Sequence, residues 1–553
     1  MTTRILIFLL GLLLCLFVYP SSFFYPKDTL PDNNDSRLIA YIIGQVQNNI
    51  IERKPLYQAT FFAPEPNTLT YSDLFLTTSL LTLPARLFTH NPIFIFNLGF
   101  ILNFALTFFS SFLFFQKISK NLFHSVIATL LFNLSSYHLH YYPHMQVFNF
   151  WIFFAAIHNI TNYLESKNIK YLHLFLIFTS LQLAETIFTT YLLFFASLFF
   201  VIARFRHWRN QSNPEYPGSW IKSKMTSLSY QYYSVFLIYP TIWILLLLPY
   251  AKTHFLYPEA SRSIRDAAHF SLGLDEYFTK YQSWTIIAVL IISSASSLSA
   301  FFEAIFCKVR RAWSPARAGV YALQTRKFTR RENLSVTTKR MQTRNSTDWK
   351  NIFWFSVIMS LGPVLKIFDH TIKIFDLPIP LPYTIFYYFF PGFAGFRTPS
   401  RFILLALFAA SALIAIRISK QAHLLQTKTK VAISMLVLSL LALESRLPLI
   451  GYPININPPT VYDEVKGLPK NTVVLELPIK LWNMSDHQIE SVRSLYSLNH
   501  KQKRLNGYSG FATLEWIKLI EEINAFGFTP EIKQKLKTRG VTHIVQNNHL
   551  SEI

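Results

Sequence analysis

Long apolar runs recur along this chain, and they constrain its fold more than any other feature of the sequence. A membrane-spanning helix needs about 20 mainly apolar residues. Charged residues make up only 15% of the chain, below the roughly 25% that is typical of soluble proteins. We therefore predict a mostly α polytopic membrane protein with about 11 transmembrane helices, at the apolar runs 4–20, 92–115, 122–138, 147–163, 170–185, 187–204, 234–251, 283–306, 351–368, 400–417 and 430–448.

Lysine and arginine are concentrated in alternate connections between these runs, which predicts the orientation of the chain. The segments richest in them carry 26 of the 52 Lys and Arg residues: 1–4, 116–121, 164–170, 204–233, 307–350 and 417–430. Because cytoplasmic loops are enriched in these residues, we place the N-terminus and the basic loop 307–350 in the cytoplasm. The apolar stretch 74–89 is broken by Pro84, and counting it as a span would invert every later loop. We therefore predict an interfacial or re-entrant helix there.

Two boundaries along the apolar runs need separate treatment. The first run follows a charged start, as in a signal peptide, but no small-x-small cleavage pattern follows it, so we expect an uncleaved helix. Residues 170–204 form one long apolar run with Glu185 near its middle. A charge inside a membrane is costly, so Glu185 should mark a tight turn between two spans.

The composition changes after residue 450, which divides the chain into a membrane domain, 1–450, and a C-terminal domain, 451–553. The C-terminal domain has two predicted strands, 472–477 and 541–546, and three predicted helices, 485–498, 512–526 and 530–538. Eleven spans put the two termini on opposite sides of the membrane. We therefore expect a small soluble α/β domain on the extracytoplasmic face.

The first outer loop, 21–91, is long, and loops of that length usually carry function. It contains Asp28, Asp32 and Asp35, the last at the point where a helix should begin. Asp35 could cap that helix, which is a common role for Asp, or it could act as a general base on an acceptor hydroxyl. Both interpretations stay open from the residues alone. Arg37, two residues further on, is a candidate substrate-binding residue.

The second outer loop, YHLHYYPHMQ, holds His138, His140 and His144. Neutral imidazoles bind metals, but this spacing matches no strong zinc signature. We favour a Tyr/His belt at the membrane interface or substrate hydrogen bonding by His138 and His144. We assign no metal ligand, and the cofactor stays unknown, with a divalent metal as one option. Cys15 and Cys307 should lie at different depths or on opposite sides, which predicts no disulfide.

Arginines recur in two later outer loops. Arg262 and Arg265 are spaced to share one face of a short helix. Arg397 and Arg401 lie in the stretch PGFAGFRTPSRF, an ordered turn at the entry to a span. Arginine at a headgroup boundary is often a snorkelling anchor. Paired guanidinium groups on an ordered turn also suit bidentate phosphate binding, so all four are candidate phosphate ligands.

Several common chemistries lack their sequence signatures here. The chain has no phosphate-cradling Gly-rich loop and no Walker sequence, which argues against a nucleotide. The stretch NGYSGF (506–511) lacks nucleophile-elbow spacing and indicates a turn. The net charge of +23 could suit nucleic acid, but the basic residues lie in loops between apolar runs. That placement is a topology signal, and we predict no nucleic-acid partner.

With these features in place, the chain resembles the GT-C class of glycosyltransferases, polytopic enzymes that use lipid-phosphate-linked sugars on the non-cytoplasmic side. The resemblance rests on an outward first helix followed by a long loop with Asp35, on an interfacial helix near 74–89, on about eleven spans and on a closing soluble domain. More narrowly, the chain is similar to uncharacterised bacterial members through the stretches NDSRL, YQATFFAPEP, ASRSIRDAAHFS, PGFAGFRTPSRF, LELPI and NGYSGF.

The resemblance implies a location and a mechanism. The enzyme would lie in the bacterial inner (plasma) membrane and transfer a sugar from a polyprenyl-phosphate donor to a glycan, lipid or protein acceptor, inverting the anomeric centre. Asp35 would be the base. The phosphate, whose charge grows in the transition state, would be held by Arg262, Arg265, Arg397 and Arg401. Many GT-C enzymes carry a second acidic residue in the next outer loop, where this chain has the three histidines.

Two other function classes stay open. A transporter or flippase of a lipid-linked sugar would need polar or broken helices near the bilayer midplane, together with repeats. Asn97, Asn103, Asn133 and Glu303 lie in or near spans, but the sequence contains no evident internal repeat. A non-catalytic envelope assembly protein would instead use the C-terminal domain to bind a partner.

Overall fold

The fold is mostly helical, with a few short strands. A computed structural model describes residues 2–209, 229–277, 347–418, 427–470 and 472–553. The predicted span 283–306, almost all of the basic loop 307–350 and Cys307 lie outside the described residues. Cys15 is buried and carries a free thiol.

Three helices of the described residues are long and apolar enough to cross a membrane: Pro92–Ser119, Ile187–Phe205 and Pro399–Ile416. Two further apolar helices, Thr3–Val18 and Ser434–Glu444, are shorter. The predicted count of eleven spans is therefore not established by helix length and composition. Helices at several of the predicted runs are short for a span, because a helix rises only about 1.5 Å per residue, and the run 283–306 lies outside the described residues.

The other longer helices before residue 450 occupy most of the predicted runs. Their bounds are Asp35–Ile51, Leu122–Asn133, Trp151–Ser166, Ile169–Glu185, Ser229–Leu256, 347–360 and Thr427–Glu444. The short helices are Ser21–Phe24, Thr68–Tyr71, Leu76–Thr82, Leu83–Leu87, Ser136–His140, Met145–Phe148, Pro258–Ala260, Ile264–His269, Asp275–Tyr277, Tyr383–Phe389 and Phe393–Gly395.

Two predicted boundaries have different outcomes. The break at Glu185 is confirmed, because one helix ends at Glu185 and the next begins at Ile187. The prediction of one continuous span at 351–368 is wrong. Its helix ends at residue 360, and the chain then forms two small hairpins, Lys366–Ile367 with His370–Thr371 and Lys373–Ile374 with Leu377–Pro378.

Aromatic side chains fill the core of the helical part. Phe100, Phe104, Phe108 and Phe112 recur every four residues on the helix Pro92–Ser119, and all four are buried. That spacing places them on one face of the helix. The helices Thr2–Val18, Leu122–Asn133 and Trp151–Ser166 pack against the same long helix, which is therefore the centre of this part of the fold.

The C-terminal domain contains a four-stranded sheet with helices, and the sequence predicted two of the four strands. Its strands lie in the order His549–Glu552, Val541–Gln546, Val473–Glu476 and Lys503–Arg504. The last three are parallel, and the first pairs antiparallel with Val541–Gln546. Parallel strands need crossover connections, and these contain the helices Ile489–His500, Leu514–Phe526 and Pro530–Thr538.

The C-terminal domain packs directly on the first predicted outer loop. The strand Thr29–Leu30 pairs with Tyr452–Pro453, where the domain begins. The helix Ile489–His500 packs on Asp35–Ile51 so closely that a Cβ added at Gly44 would lie 2.8 Å from Cδ1 of Leu498. The two segments therefore lie on the same side of the helical part.

Candidate active site

The helix that begins at Asp35 is capped by a different aspartate. Oδ1 of Asp32 accepts hydrogen bonds from the backbone N–H groups of Asn34 (3.2 Å) and Ser36 (2.8 Å). Asp35 is the first residue of the helix, not its cap. Of the two interpretations of Asp35, the capping one is therefore wrong, and its carboxylate is available for other contacts.

The Asp35 carboxylate meets the second outer loop at His144. Its Oδ2 lies 3.2 Å from Nε2 of His144, and the Asp35 side chain is 43% exposed. A hydrogen bond from the Ser36 hydroxyl to the Pro143 carbonyl (3.3 Å) joins the same two segments. The helix start and the loop that follows the short helix Ser136–His140 thus place a carboxylate and an imidazole side by side.

Two arginines of the predicted phosphate set act on the same carboxylate. Burial raises the pKa of Asp35, but the hydrogen bond and charge of His144, followed by the charges of Arg401 and Arg397, lower it below the ordinary value. The carboxylate is therefore ionised at neutral pH. Asp35, His144, Arg397 and Arg401, predicted from three separate loops, are brought together.

Aromatic rings hold the two arginines in place. The guanidinium of Arg397 lies over the ring of Phe270 at 4.2 Å, and that of Arg401 over Phe188 at 5.2 Å. Such cation–π contacts orient a guanidinium without using its N–H donors. Within the described part of the chain, the buried Nε of Arg401 has no hydrogen-bond partner.

The other predicted arginine pair is divided by the structure. The short helix begins at Ile264 with Ser263 as its cap, so Arg262 lies before the helix and does not share a face with Arg265. The expectation of a shared face is therefore wrong. The backbone N–H of Arg262 bonds to Ala394 O (3.1 Å), which ties it to the loop of Arg397. Arg265 is exposed.

The remaining predicted residues take different positions. His138 is fully buried, and its ring nitrogens lie 3.2 Å from Asn133 O and 2.5 Å from Val147 O. Main-chain carbonyls thus occupy both nitrogens, so we correct the expectation that His138 binds substrate. Arg37 lies in the first turn of the helix that begins at Asp35 and bonds through Nη2 to Asn33 Oδ1 (3.1 Å).

Asp73 is a second carboxylate near this cluster that the sequence analysis missed. Its Oδ1 accepts the backbone N–H of Ile187 (3.2 Å). Burial raises its pKa above the ordinary value, although Thr186, Arg401, Ile187 and His144 act in the opposite direction. The hydrogen-bond partner of Asp73 is at a helix start more than 100 positions away, so nothing near Asp73 in the sequence indicates its place in the site.

A turn of the C-terminal domain lies close to Arg262 and within reach of the charge of Asp35. The predicted turn in NGYSGF has no regular secondary structure. A Cβ on Gly510 would lie 2.9 Å from Tyr71 O and 3.8 Å from Nη2 of Arg262. Burial raises the pKa of Tyr508, and the nearby charges of Asp35 and Asp32 raise it further. The domain therefore reaches both Arg262 and the surroundings of Asp35.

The described residues contain no group of three His, Cys, Asp or Glu side chains that could hold a metal ion. No protein-family model matches this chain, and a comparison with curated proteins finds no significant match. The chemistry of the cluster therefore has to be argued from its own residues.

Proposed function

We propose that this chain is a membrane glycosyltransferase of the GT-C type that uses a polyprenyl-phosphate-linked sugar as its donor. The observation that carries the proposal is the contact of Asp35 with His144, together with the charges of Arg401 and Arg397, which act on the same carboxylate. An ionised carboxylate suits a general base. Guanidinium groups such as those of Arg397 and Arg401 suit a phosphate whose charge grows as it leaves.

The proposed reaction is a direct displacement. Asp35 takes the proton of an acceptor hydroxyl while that oxygen forms a bond to the anomeric carbon of the sugar. The bond from this carbon to the phosphate oxygen breaks, and its electron pair leaves with the polyprenyl phosphate toward Arg397 and Arg401. Attack opposite the leaving group inverts the anomeric centre. His144 orients the carboxylate through the 3.2 Å contact.

The proposed topology has about eleven spans, which includes the shorter apolar helices. The segments 21–91, 252–282, 369–399 and 451–553 would then be extracytoplasmic, in a bacterial inner membrane. Contacts among these segments support a common side. Thr29–Leu30 pairs with Tyr452–Pro453, and a Glu259 carboxylate oxygen accepts the N–H of Leu514 (3.3 Å).

Vesicles that contain the purified chain and a radiolabelled polyprenyl-phosphate sugar test the proposal. We expect label to appear in a water-soluble or lipid acceptor added on one side, with release of polyprenyl phosphate. Label that crosses the bilayer on an unchanged donor would identify a flippase instead. If neither occurs while the C-terminal domain captures an envelope protein, the chain is an assembly protein and the proposal fails.

A further inference from the structure

Two tandem hairpins present the same aromatic residue at their tips. Phe368 and Asp369 form the two-residue turn of the first hairpin, and Phe375 and Asp376 form that of the second. Phe375 is 96% exposed and Phe368 is 70% exposed. Soluble proteins rarely expose several large apolar side chains close together unless that surface binds a partner or a membrane.

The backbone of both turns is strained at these phenylalanines. φ is +50° at Phe368 and at Phe375, and +59° and +62° at the following aspartates. Two-residue hairpin turns with positive φ at both positions normally use Asn and Gly. A bulky residue with positive φ is an outlier. The same unfavourable choice in two successive turns points to a function for the ring at the tip, since nothing in the turn itself needs it.

Polar contacts hold the base of the hairpins firmly. At that base, the Ile372 N–H bonds to Leu365 O (2.9 Å). The first hairpin is also fixed at its turn, where the backbone N–H of Phe368 bonds to Oδ1 of Asp275 (2.7 Å), and along its strand, where the Leu274 N–H bonds to Lys366 O (3.0 Å). The exposed side chains of Ile374 and Leu377 flank the second tip. The hairpins are therefore a rigid support with an apolar end.

The position of the hairpins indicates which partner they meet. In the chain they lie between the helix 347–360 and the candidate span Pro399–Ile416. The neighbouring short helix Tyr383–Phe389 adds exposed Ile385, Tyr388 and Phe389. Tyr is enriched at membrane–water interfaces, and interfacial segments bury Phe and Leu at the boundary between headgroups and acyl chains.

We propose that the tips of the hairpins 366–378 insert into the lipid interface beside the helices, as a fixed anchor for the loop that carries Arg397. Asp369 and Asp376 sit next to the two rings, which limits insertion to the boundary between headgroups and acyl chains. The anchor sets the height of the Arg397 loop relative to the bilayer. It depends on a membrane location and not on sugar transfer.

Single labelled cysteines test this directly. The full chain with Cys15→Ala and Cys307→Ala receives Phe375→Cys, Phe368→Cys, Leu198→Cys or Phe526→Cys, and each is labelled with the fluorophore NBD in phosphatidylcholine vesicles. Leu198 is 41% exposed on the candidate span Ile187–Phe205, and Phe526 is 72% exposed in the C-terminal domain. The two serve as controls for lipid and for water.

We expect labels at 375 and 368 to be quenched by lipid with a nitroxide near the headgroup. We also expect their quenching constants for aqueous iodide to be about threefold or more below that at 526. Equal iodide access at 375, 368 and 526, with the label at 198 shielded, would overturn the anchor. An unshielded label at 198 would overturn the membrane location itself. Either result is independent of the transfer assay.

Discussion

Asp32 and Asp35 are three positions apart, and the structure gives them different tasks that substitution can separate. Asp32→Ala removes the acceptor of two backbone hydrogen bonds, of 3.2 and 2.8 Å, at the helix start. Loss of such a cap costs about 1 kcal/mol of folding stability. Asp35→Asn keeps the shape of the side chain and leaves that cap intact.

The cost of Asp35→Asn in stability should be small. The carboxylate is 43% exposed and makes one contact of 3.2 Å with His144, and solvent screens such a pair to below about 1 kcal/mol. The cost of Asp35→Asn in activity should be large. Loss of a general base slows a reaction by about 10²–10⁴-fold, which corresponds to roughly 3–5 kcal/mol of activation free energy.

Both variants are measured for sugar transfer from the polyprenyl-phosphate donor and for the thermal unfolding midpoint in detergent. We expect Asp32→Ala to lower the midpoint and keep most of the transfer rate. We expect Asp35→Asn to leave the midpoint almost unchanged and to lose most of the transfer rate. Transfer at the wild-type rate by Asp35→Asn would refute its role as base. An equal loss of transfer in a folded Asp32→Ala protein would show that the helix start, not the Asp35 carboxylate, sets the rate.

Three further predictions concern His144, the buried ion pair of the C-terminal domain and the second hairpin turn. In His144→Ala, the pKa of Asp35 rises, because burial is no longer opposed by the imidazole. The acid limb of the profile of kcat/KM against pH should move to higher pH, and an unchanged profile would contradict the contact. Arg504→Met leaves Glu476, which is 1% exposed, without its buried partner. Because uncompensated buried charge is costly, we expect a loss of about 3–5 kcal/mol, measured by hydrogen exchange of the C-terminal domain, and substantial rescue by adding Glu476→Gln. Phe375→Gly relieves a backbone with φ of +50°, so the unfolding midpoint in detergent should rise by the equivalent of about 1 kcal/mol, and a fall would contradict the strain.

Local patterns predicted the C-terminal domain well. The strand 541–546 and the helix 530–538 have the bounds that their residues indicate. Each is specified by neighbours within a few positions, through β-branched residues in the strand and a Thr-Pro start in the helix. Hydropathy performed less well at 351–368, since it measures apolar content and does not register the helix end at residue 360, where Gly362, with φ of +71°, and Pro363 follow.

The candidate site shows where sequence reasoning stops. Three aspartates near one helix start are equivalent by composition, and only the backbone decides that Asp32 is the cap and Asp35 faces His144. Asp73 meets Ile187 across more than 100 residues, a contact that no local pattern encodes. The arginine loop of Arg397 was predictable because its Gly and Pro residues mark an ordered turn.

A structure of the chain with a bound polyprenyl-phosphate-linked sugar tests the central claim most directly. We predict that the phosphate lies within hydrogen-bond distance of Arg397 and Arg401, with the anomeric carbon facing the open side of the Asp35 carboxylate. The lipid should leave the site toward the bilayer. A phosphate bound elsewhere, with Asp35 more than one water molecule from the sugar, would contradict a single active site at this cluster.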